Sequence, residues 1–429
     1  MTAATLQGVL QTAGVIPLNI RVPSTPRDLG SANVGHANVK AVASACVAGT
    51  LFFTVGAQAE ANFKPYAEAI YAHNSNVFAQ RFQGSEAALL EEQGDYSLSY
   101  GAGFAWSQSI GQQLITMEAK GLRTEYQEFD QLDHSEYDGD LSWKWKLGRL
   151  FDGVLSYTAM QRMVPFSETQ ELSTELLLED TNRATVGVNI AVTPKWVVET
   201  RGIRTEIDSP RAGAPSLQQN EDLLGAGIKY VGRARLSAGL QASKTDGEVL
   251  GLRDVPDRRY EQSTLELTAD YAATSVSSFG ATLGYTKRDD QFSGEVDAVT
   301  GTLGVRRALT RKTSVYFQAE RLLSSYLRND AVQTELSTGA LAGVSWQATG
   351  KTAFNLQAGY KVSEFPNQAL ATVEDRKDDT RLAEFHINYQ VTRWLLIHPF
   401  VRYEDRDSND AMFSYKNTFA GLQLKATMR

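Results

Sequence analysis

The sequence predicts an all-β protein: a transmembrane antiparallel β-barrel of about 18 strands (roughly 16–20), with short periplasmic turns and long extracellular loops. Three observations predict it. Apolar and polar residues alternate in repeated segments from Tyr96 to the C-terminus. Very short turns and longer acidic connections separate those segments in strict rotation. Large aromatic residues crowd the apolar face near segment ends, as at a membrane interface.

Composition agrees with this class. The 429 residues are 42% hydrophobic, with a mean hydropathy of −0.30. After position 60 no apolar run reaches the roughly 20 residues that a membrane helix needs, which excludes a polytopic helical protein. A barrel tolerates such averages, because only every second strand residue must be apolar. The net charge of −8 and a pI of 5.4 give no support to a nucleic-acid partner. Cys46 is the one cysteine, so no intrachain disulfide can form.

Residues 1–59 read as an N-terminal extension plus a signal peptide. Lys40 precedes an apolar stretch over 41–55, followed by Gly56 and the small-x-small site Ala57-Gln58-Ala59. Cleavage after Ala59 leaves 60–429 as the barrel, and Cys46 departs with the signal. A lipoprotein reading of Ala43-Ser44-Ala45-Cys46 puts most of the apolar run on the wrong side of the cysteine. Residues before about 35 fit neither the signal nor the barrel.

A first strand is expected over 63–72. The clearest follows, Tyr96 to Ser107, with Tyr96, Leu98, Tyr100, Ala102, Phe104 and Trp106 on one face and Ser97, Ser99, Gly101, Gly103, Ala105 and Ser107 on the other. Side chains alternate across a strand, so one face meets lipid and the other a wet interior. Leu141/Trp143/Trp145, Leu155/Tyr157, Val186/Val188/Ile190, Leu224/Ala226/Ile228, Leu265/Leu267, Leu283/Tyr285, Leu356/Ala358/Tyr360, Phe385/Ile387/Tyr389 and Leu422/Leu424 continue the outward face. Between strands, Thr193-Pro194-Lys195, Thr310-Arg311-Lys312, Thr349-Gly350-Lys351 and Thr392-Arg393 are variants of one short connection. The even count puts both termini and these turns in the periplasm.

Long connections are expected near 74–94, 127–136, 162–180, 206–220, 245–261, 287–295, 322–336, 363–379 and 404–415. Pro165, Pro210, Pro215, Pro256 and Pro366 fall in them, where a missing ladder donor costs nothing. Pro399 falls inside an apparent strand and should mark a bulge or a strand end. A soluble β-sandwich would share the two-residue period. The aromatic placement and the Gly-, Ser-, Thr- and Gln-rich opposite face favour a barrel in the bacterial outer membrane. Its partners are then outer-membrane lipid, lipopolysaccharide and the barrel-assembly machinery.

With the lipid face assigned, the candidate lumen-lining residues are Glu118, Lys120, Lys144, Glu199, Arg201, Arg235, Glu266, Arg306, Glu320, Lys361, Glu384, His386, His398 and Arg402. Asp138, Asp140, Lys146, Lys229 and Asp270 share the face. Both signs are present, which argues against strong selectivity for one ion and suits a hydrated polymer that binds weakly and slides. Ion pairs that merely fill and rigidify a closed lumen fit the same residues.

Pairing centred on Thr392 sets His386 opposite His398, with Glu384 diagonal. Two such imidazoles could hold a transition metal or respond to pH, but no third ligand is evident, and two ordinary lumen-wall histidines fit as well. No metal or other cofactor is therefore expected. No Ser, His and acid spacing singles out a triad, and no Gly-rich phosphate loop follows a strand. Asp375-Arg376-Lys377-Asp378-Asp379 and Asp405-Arg406-Asp407 read as solvated loop tips rather than calcium sites.

Three segments carry a family resemblance. Tyr126-Gln127-Glu128-Phe129-Asp130-Gln131-Leu132-Asp133, followed by Tyr137 and the Trp143/Trp145 strand, is similar to a loop of the EpsL outer-membrane barrels of exosortase-associated exopolysaccharide operons. His73-Asn74-Ser75-Asn76-Val77-Phe78 resembles the segment after that family's first strand. Tyr403-Glu404-Asp405-Arg406-Asp407-Ser408-Asn409, with Tyr415 and Asn417, resembles its last loop and strand. The chain ends Thr427-Met428-Arg429, without the terminal Phe of many outer-membrane proteins. The resemblance implies a non-enzymatic barrel serving exopolysaccharide biosynthesis or export, with the polysaccharide and export-system proteins as partners. It implies no catalytic residues. A general porin for small solutes and an outer-membrane hydrolase or polysaccharide-modifying enzyme are the alternatives.

Overall fold

Each alternating segment pairs with its sequence neighbours, and the last returns to the first. The computed structural model describes residues 62–79, 93–168, 174–211, 214–232, 235–251, 257–291, 294–328, 331–365 and 375–428. Those residues form β1 (Asn62–Asn74), β2 (Asp95–Ile110), β3 (Gln113–Tyr126), β4 (His134–Leu147), β5 (Phe151–Met163), β6 (Leu178–Ala191), β7 (Trp196–Arg211), β8 (Ala214–Val231) and β9 (Leu236–Leu250). They continue as β10 (Arg258–Tyr271), β11 (Ser277–Asp290), β12 (Gly294–Ala308), β13 (Thr313–Arg328), β14 (Ala331–Gln347), β15 (Thr352–Phe365), β16 (Arg376–Gln390), β17 (Leu395–Ser408) and β18 (Tyr415–Thr427). β1 pairs with both β2 and β18, with Tyr66 opposite Thr427 and Asn74 opposite Phe419. The product is a closed eighteen-stranded antiparallel barrel with no open sheet edge. The signal peptide and its cleavage after Ala59 lie outside the described residues.

Leu141, Leu224, Leu267, Leu283 and Leu356 project outward and stay exposed, as residues that meet lipid must. Tyrosines bound this band on the long-connection side. Each donates its hydroxyl to a neighbouring strand: Tyr100 to Glu125 at 3.0 Å, Tyr157 to Asn182 at 3.0 Å, Tyr285 to Asp297 at 2.7 Å and Tyr360 to Asp379 at 2.5 Å. The ring stays in the apolar layer while the hydroxyl reaches a polar partner. Exposed pairs such as Lys244–Glu261 and Lys287–Glu295 lie beyond it.

At the opposite end the recurrent threonine shapes the turns. Thr193, Thr310 and Thr392 each accept from the backbone N–H groups two and three residues on, through Oγ1. Thr274 and Thr349 accept from the N–H two residues on. This side-chain mimicry of a backbone turn explains the repeated Thr. Gly111 and Gly148 take φ of +60° and +62° in two other tight turns, a region open to glycine without strain.

The strands run from 13 to 18 residues, longer than the roughly ten that a tilted strand needs to cross the hydrocarbon. Much of the sequence assigned to long connections is therefore strand. β7 and β8 take up most of 206–220, and β13 and β14 most of 322–336. Polar composition marks where a strand leaves lipid, not where its ladder ends, because paired backbone remains favourable in water. Pro210 and Pro215 accordingly sit in β7 and β8, and the β7–β8 register shifts between Ser209 and Arg211, around Pro210. Pro399 produces neither a bulge nor a strand end. The β16–β17 ladder skips from His386–Phe400 to Tyr389–Ile397 in unchanged register, while Pro399 stays opposite Leu422 of β18.

Candidate functional site

The wall opposite the lipid face is built by setting flat rings on glycines. A Cβ on Gly103, Gly247 or Gly343 would lie within 2.6 Å of the Tyr66, Tyr260 or Tyr316 ring. Only a residue without a side chain leaves room for an inward tyrosine on the adjacent strand. These rings anchor a polar network.

One run of that network crosses β13 to β17. Tyr316 donates to Gln357 at 2.5 Å, and Gln357 donates to Glu384 at 3.0 Å. His386 Nδ1 lies 3.5 Å from the other Glu384 oxygen. Its ring stacks on His398, with centroids 4.9 Å apart and planes at 21°. His398 Nδ1 is 2.7 Å from the Asn388 side-chain oxygen. Arg402, opposite Glu384 in the ladder, donates to Glu404, and Glu404 also accepts from Tyr415. The expected direct pairing of His386 with His398 is corrected. The hairpin is centred on residue 393, so His386 faces Phe400 and His398 lies diagonal to it. Moving the centre by one residue preserves which face each side chain occupies, so the imidazoles still meet.

Elsewhere on the wall Glu68 links three strands, meeting Lys120 at 3.3 Å and accepting from Gln423 at 2.9 Å. Lys425 lies 3.7 Å from the Tyr66 ring centroid. Glu118 is opposite Asp140, which accepts from Thr158 at 3.0 Å. Glu199 and Lys229 are 3.9 Å apart, and Arg201 spreads over Gly225. Glu266 reaches over Gly284. Lys361 meets Glu335 at 3.0 Å, and Glu320 shares their strand neighbourhood opposite Gly339. Arg306 is opposite Tyr316 and exposed, and Lys144 is exposed toward the short-turn end. Arg235 does not belong to the wall. It sits in the turn before β9 with φ of +56° and is exposed. Facing parity carried from the strand cannot hold where the backbone itself reverses.

At the long-connection end the structure brings together residues that periodicity passes over. Val77, Phe78, Ala79, Leu132, Met163, Phe166 and Tyr415 form one buried cluster, with Tyr126, Phe129, Leu176 and Leu178 against it. Phe78 is fully buried and meets Phe129 and Phe166 edge-on, each at 4.9 Å. Asp95 accepts from the N–H groups of Glu128 and Phe129, and Asp133 from that of Tyr126. The described parts of the connections after β1, β3 and β5 thus pack on one another at the mouth. A signal existed in the sequence: Phe129 and Leu132, three apart in an acidic loop, have no reason to be apolar in water.

Charged pairs complete the mouth. Arg258 grips Asp290 with two nitrogens, Nε at 2.7 Å from one oxygen and Nη2 at 2.5 Å from the other. Arg376 holds Asp378, with Nε at 2.9 Å, and lies over the Phe413 ring. Asp378 is buried and Arg406 stands on β17, so neither acidic run is a solvated loop tip. Among the described residues no group of three His, Cys, Asp or Glu side chains is placed to hold a metal ion.

The family model described as "Putative beta-barrel porin 2" matches residues 273–428, which contain β11 to β18. No curated protein matches the chain. The solved structures to which it is similar include three from Pseudomonas aeruginosa. OccK9 (OpdG) is 14% identical with a TM-score of 0.49, covering 86% of this chain and 98% of that one. OpdK with vanillate is 12% identical with a TM-score of 0.48, covering 86% and 99%. OccK2 (OpdF) in complex with glucuronate is 13% identical with a TM-score of 0.47, covering 86% and 98%. A closed barrel with a lipid-facing band and a porin-family match over its last eight strands is a porin-like protein of the bacterial outer membrane.

Proposed function

We propose that this barrel is a non-enzymatic conduit for exopolysaccharide across the outer membrane, gated at its outer mouth by inward-folded connections. One observation carries the reading. The three segments that resemble exopolysaccharide-operon barrels, far apart in sequence, supply most of one structural unit. Val77 and Phe78 come from the first, Tyr126, Phe129 and Leu132 from the second, and Tyr415 from the third. Asn76 and Asn417 then tie the first to the third, the Asn76 N–H donating to Asn417 at 3.2 Å. A wall of hydroxyls, amides and paired charges suits a hydrated chain, since conduction needs contacts that bind without trapping. The exported polysaccharide and export-system proteins at the periplasmic end are the partners this reading requires, beside lipopolysaccharide and the assembly machinery.

The porin-family match supports a second reading, a channel for small solutes, and favours a channel over a catalyst. Deletion of the gene separates the two channels. Loss of secreted polysaccharide with small-solute uptake intact supports the conduit. Loss of uptake with polysaccharide unaffected refutes it in favour of the porin.

A further inference from the structure

Several inward-facing rings are capped by cations. Lys425 lies 3.7 Å from the Tyr66 centroid, Arg288 3.7 Å from Tyr260, Arg376 4.5 Å from Phe365 and Arg406 5.0 Å from Tyr415. Two inward phenyl rings on neighbouring strands differ. Phe400 on β17 and Phe419 on β18 are half-buried, and among the described residues no cation lies over either. They are also the end of a series. His386 stacks on His398, His398 lies 6.1 Å from Phe400, and Phe400 lies 5.3 Å from Phe419 at 38°. The series climbs toward the mouth, because Phe400 is two residues beyond His398 and Phe419 is opposite Arg402.

We propose that Phe400 and Phe419, continued by the stacked His386 and His398, form a binding track for the pyranose rings of a saccharide chain. The proposal rests on the conduit reading and names the part of the wall that contacts the polymer. A phenyl ring standing in an aqueous lumen is poorly hydrated and costs free energy until something apolar covers it. The C–H face of a pyranose is flat, apolar and of matching size, while its hydroxyls point outward around the rim. The residues flanking the track suit those hydroxyls. Glu384 and Arg402 stand on one side, and Asn417 and Gln423 are the β18 partners of Glu404 and His398. Apolar rings that give affinity, bordered by a few placed polar groups that give orientation, are the usual composition of a small-molecule site. Several weak ring sites in series would let a chain advance from one to the next. Gly421 makes the arrangement possible, since a Cβ there would come within 2.7 Å of the Phe400 ring.

The test uses the full mature barrel in planar lipid bilayers, with a neutral linear glucose hexamer as the probe and polyethylene glycol of equal hydrodynamic size as the control. Wild-type current is expected to be blocked by the hexamer at concentrations where polyethylene glycol blocks far less. Phe400→Leu with Phe419→Leu keeps the apolar volume but removes the flat faces. This double variant should keep its salt conductance and its polyethylene glycol block, and lose roughly tenfold in hexamer affinity. Phe279→Leu, on the lipid face, should behave as wild type. Hexamer block unchanged in the double variant overturns the track, as does a wild-type barrel that conducts salt but discriminates no better than by size. Neither result touches the conduit reading, which the deletion strain judges by secreted polysaccharide.

Discussion

Arg406 donates from Nη1 to the carbonyl of Ser167 at 2.7 Å. Five strands separate β17, which carries Arg406, from β5, which leads into Ser167. The bond therefore spans the mouth instead of following the wall. The same guanidinium faces the Tyr415 ring at 5.0 Å and stands 4.0 Å from Asp378. It couples the apolar cluster of one half of the mouth to the ionic pairs of the other.

On the proposed reading, a gate held this way opens when the bond is removed. A hydrogen bond from a charged donor contributes about 1.5–3 kcal/mol, so Arg406→Gln should raise the ratio of open to closed mouth roughly tenfold to a hundredfold. Single-channel recordings should show longer high-conductance intervals while the barrel still shifts on unheated gels. Recordings identical to wild type would mean that the cover is held by other contacts.

Phe78 tests the apolar side of the same proposed gate. It is fully buried between Phe129 and Phe166, and truncation to Ala should cost about 3–5 kcal/mol of local packing. Because Phe78 itself lies beyond the end of β1, outside the ladder, the loss should loosen the connections and leave the barrel intact. Limited proteolysis from outside should cut Phe78→Ala faster than wild type, with the folded gel shift retained. Equal cleavage rates would place Phe78 outside the gate.

The barrel was legible because its signal is redundant. Every second residue from Tyr96 onward repeats the same statement about lipid and water, so single exceptions do little harm. The strand count, the closure and the turn threonines follow from that repetition. The mouth was not legible, because its contacts join Phe78, Leu132, Phe166 and Tyr415 across more than 300 positions without any period. Strand ends failed for a related reason: a polar residue above the membrane gives the same signal whether paired or looped. The His386–His398 contact survived a misplaced hairpin centre only because the shift was by an even number of ladder positions.

Facing can be tested one residue at a time. Leu141 is outward and 47% exposed, whereas Ser142 is opposite Ser156 on the inner wall. Leu141→Arg puts a cation into hydrocarbon at a cost of roughly 2–4 kcal/mol near the midplane. Ser142→Arg puts it into water. The first should reduce the heat-modifiable, membrane-inserted fraction and the second should not. Matching behaviour of the pair would invalidate the inward and outward assignment.

Glycines offer the sharpest contrast, because their role is invisible to hydropathy. A Cβ on Gly343 would lie 2.4 Å from the Tyr316 ring, so Gly343→Ala must displace that ring and with it the hydrogen bond to Gln357. Overpacking of this kind costs about 1–3 kcal/mol. Gly350, in the turn before β15, has nothing within 4 Å of the same notional atom. Gly350→Ala should therefore leave the urea midpoint of the refolded barrel unchanged while Gly343→Ala lowers it. The Gly343 variant should also alter hexamer block, since Gln357 holds Glu384 beside the histidine stack. A Gly343→Ala barrel with wild-type midpoint and wild-type block would show that Tyr316 does not support that wall.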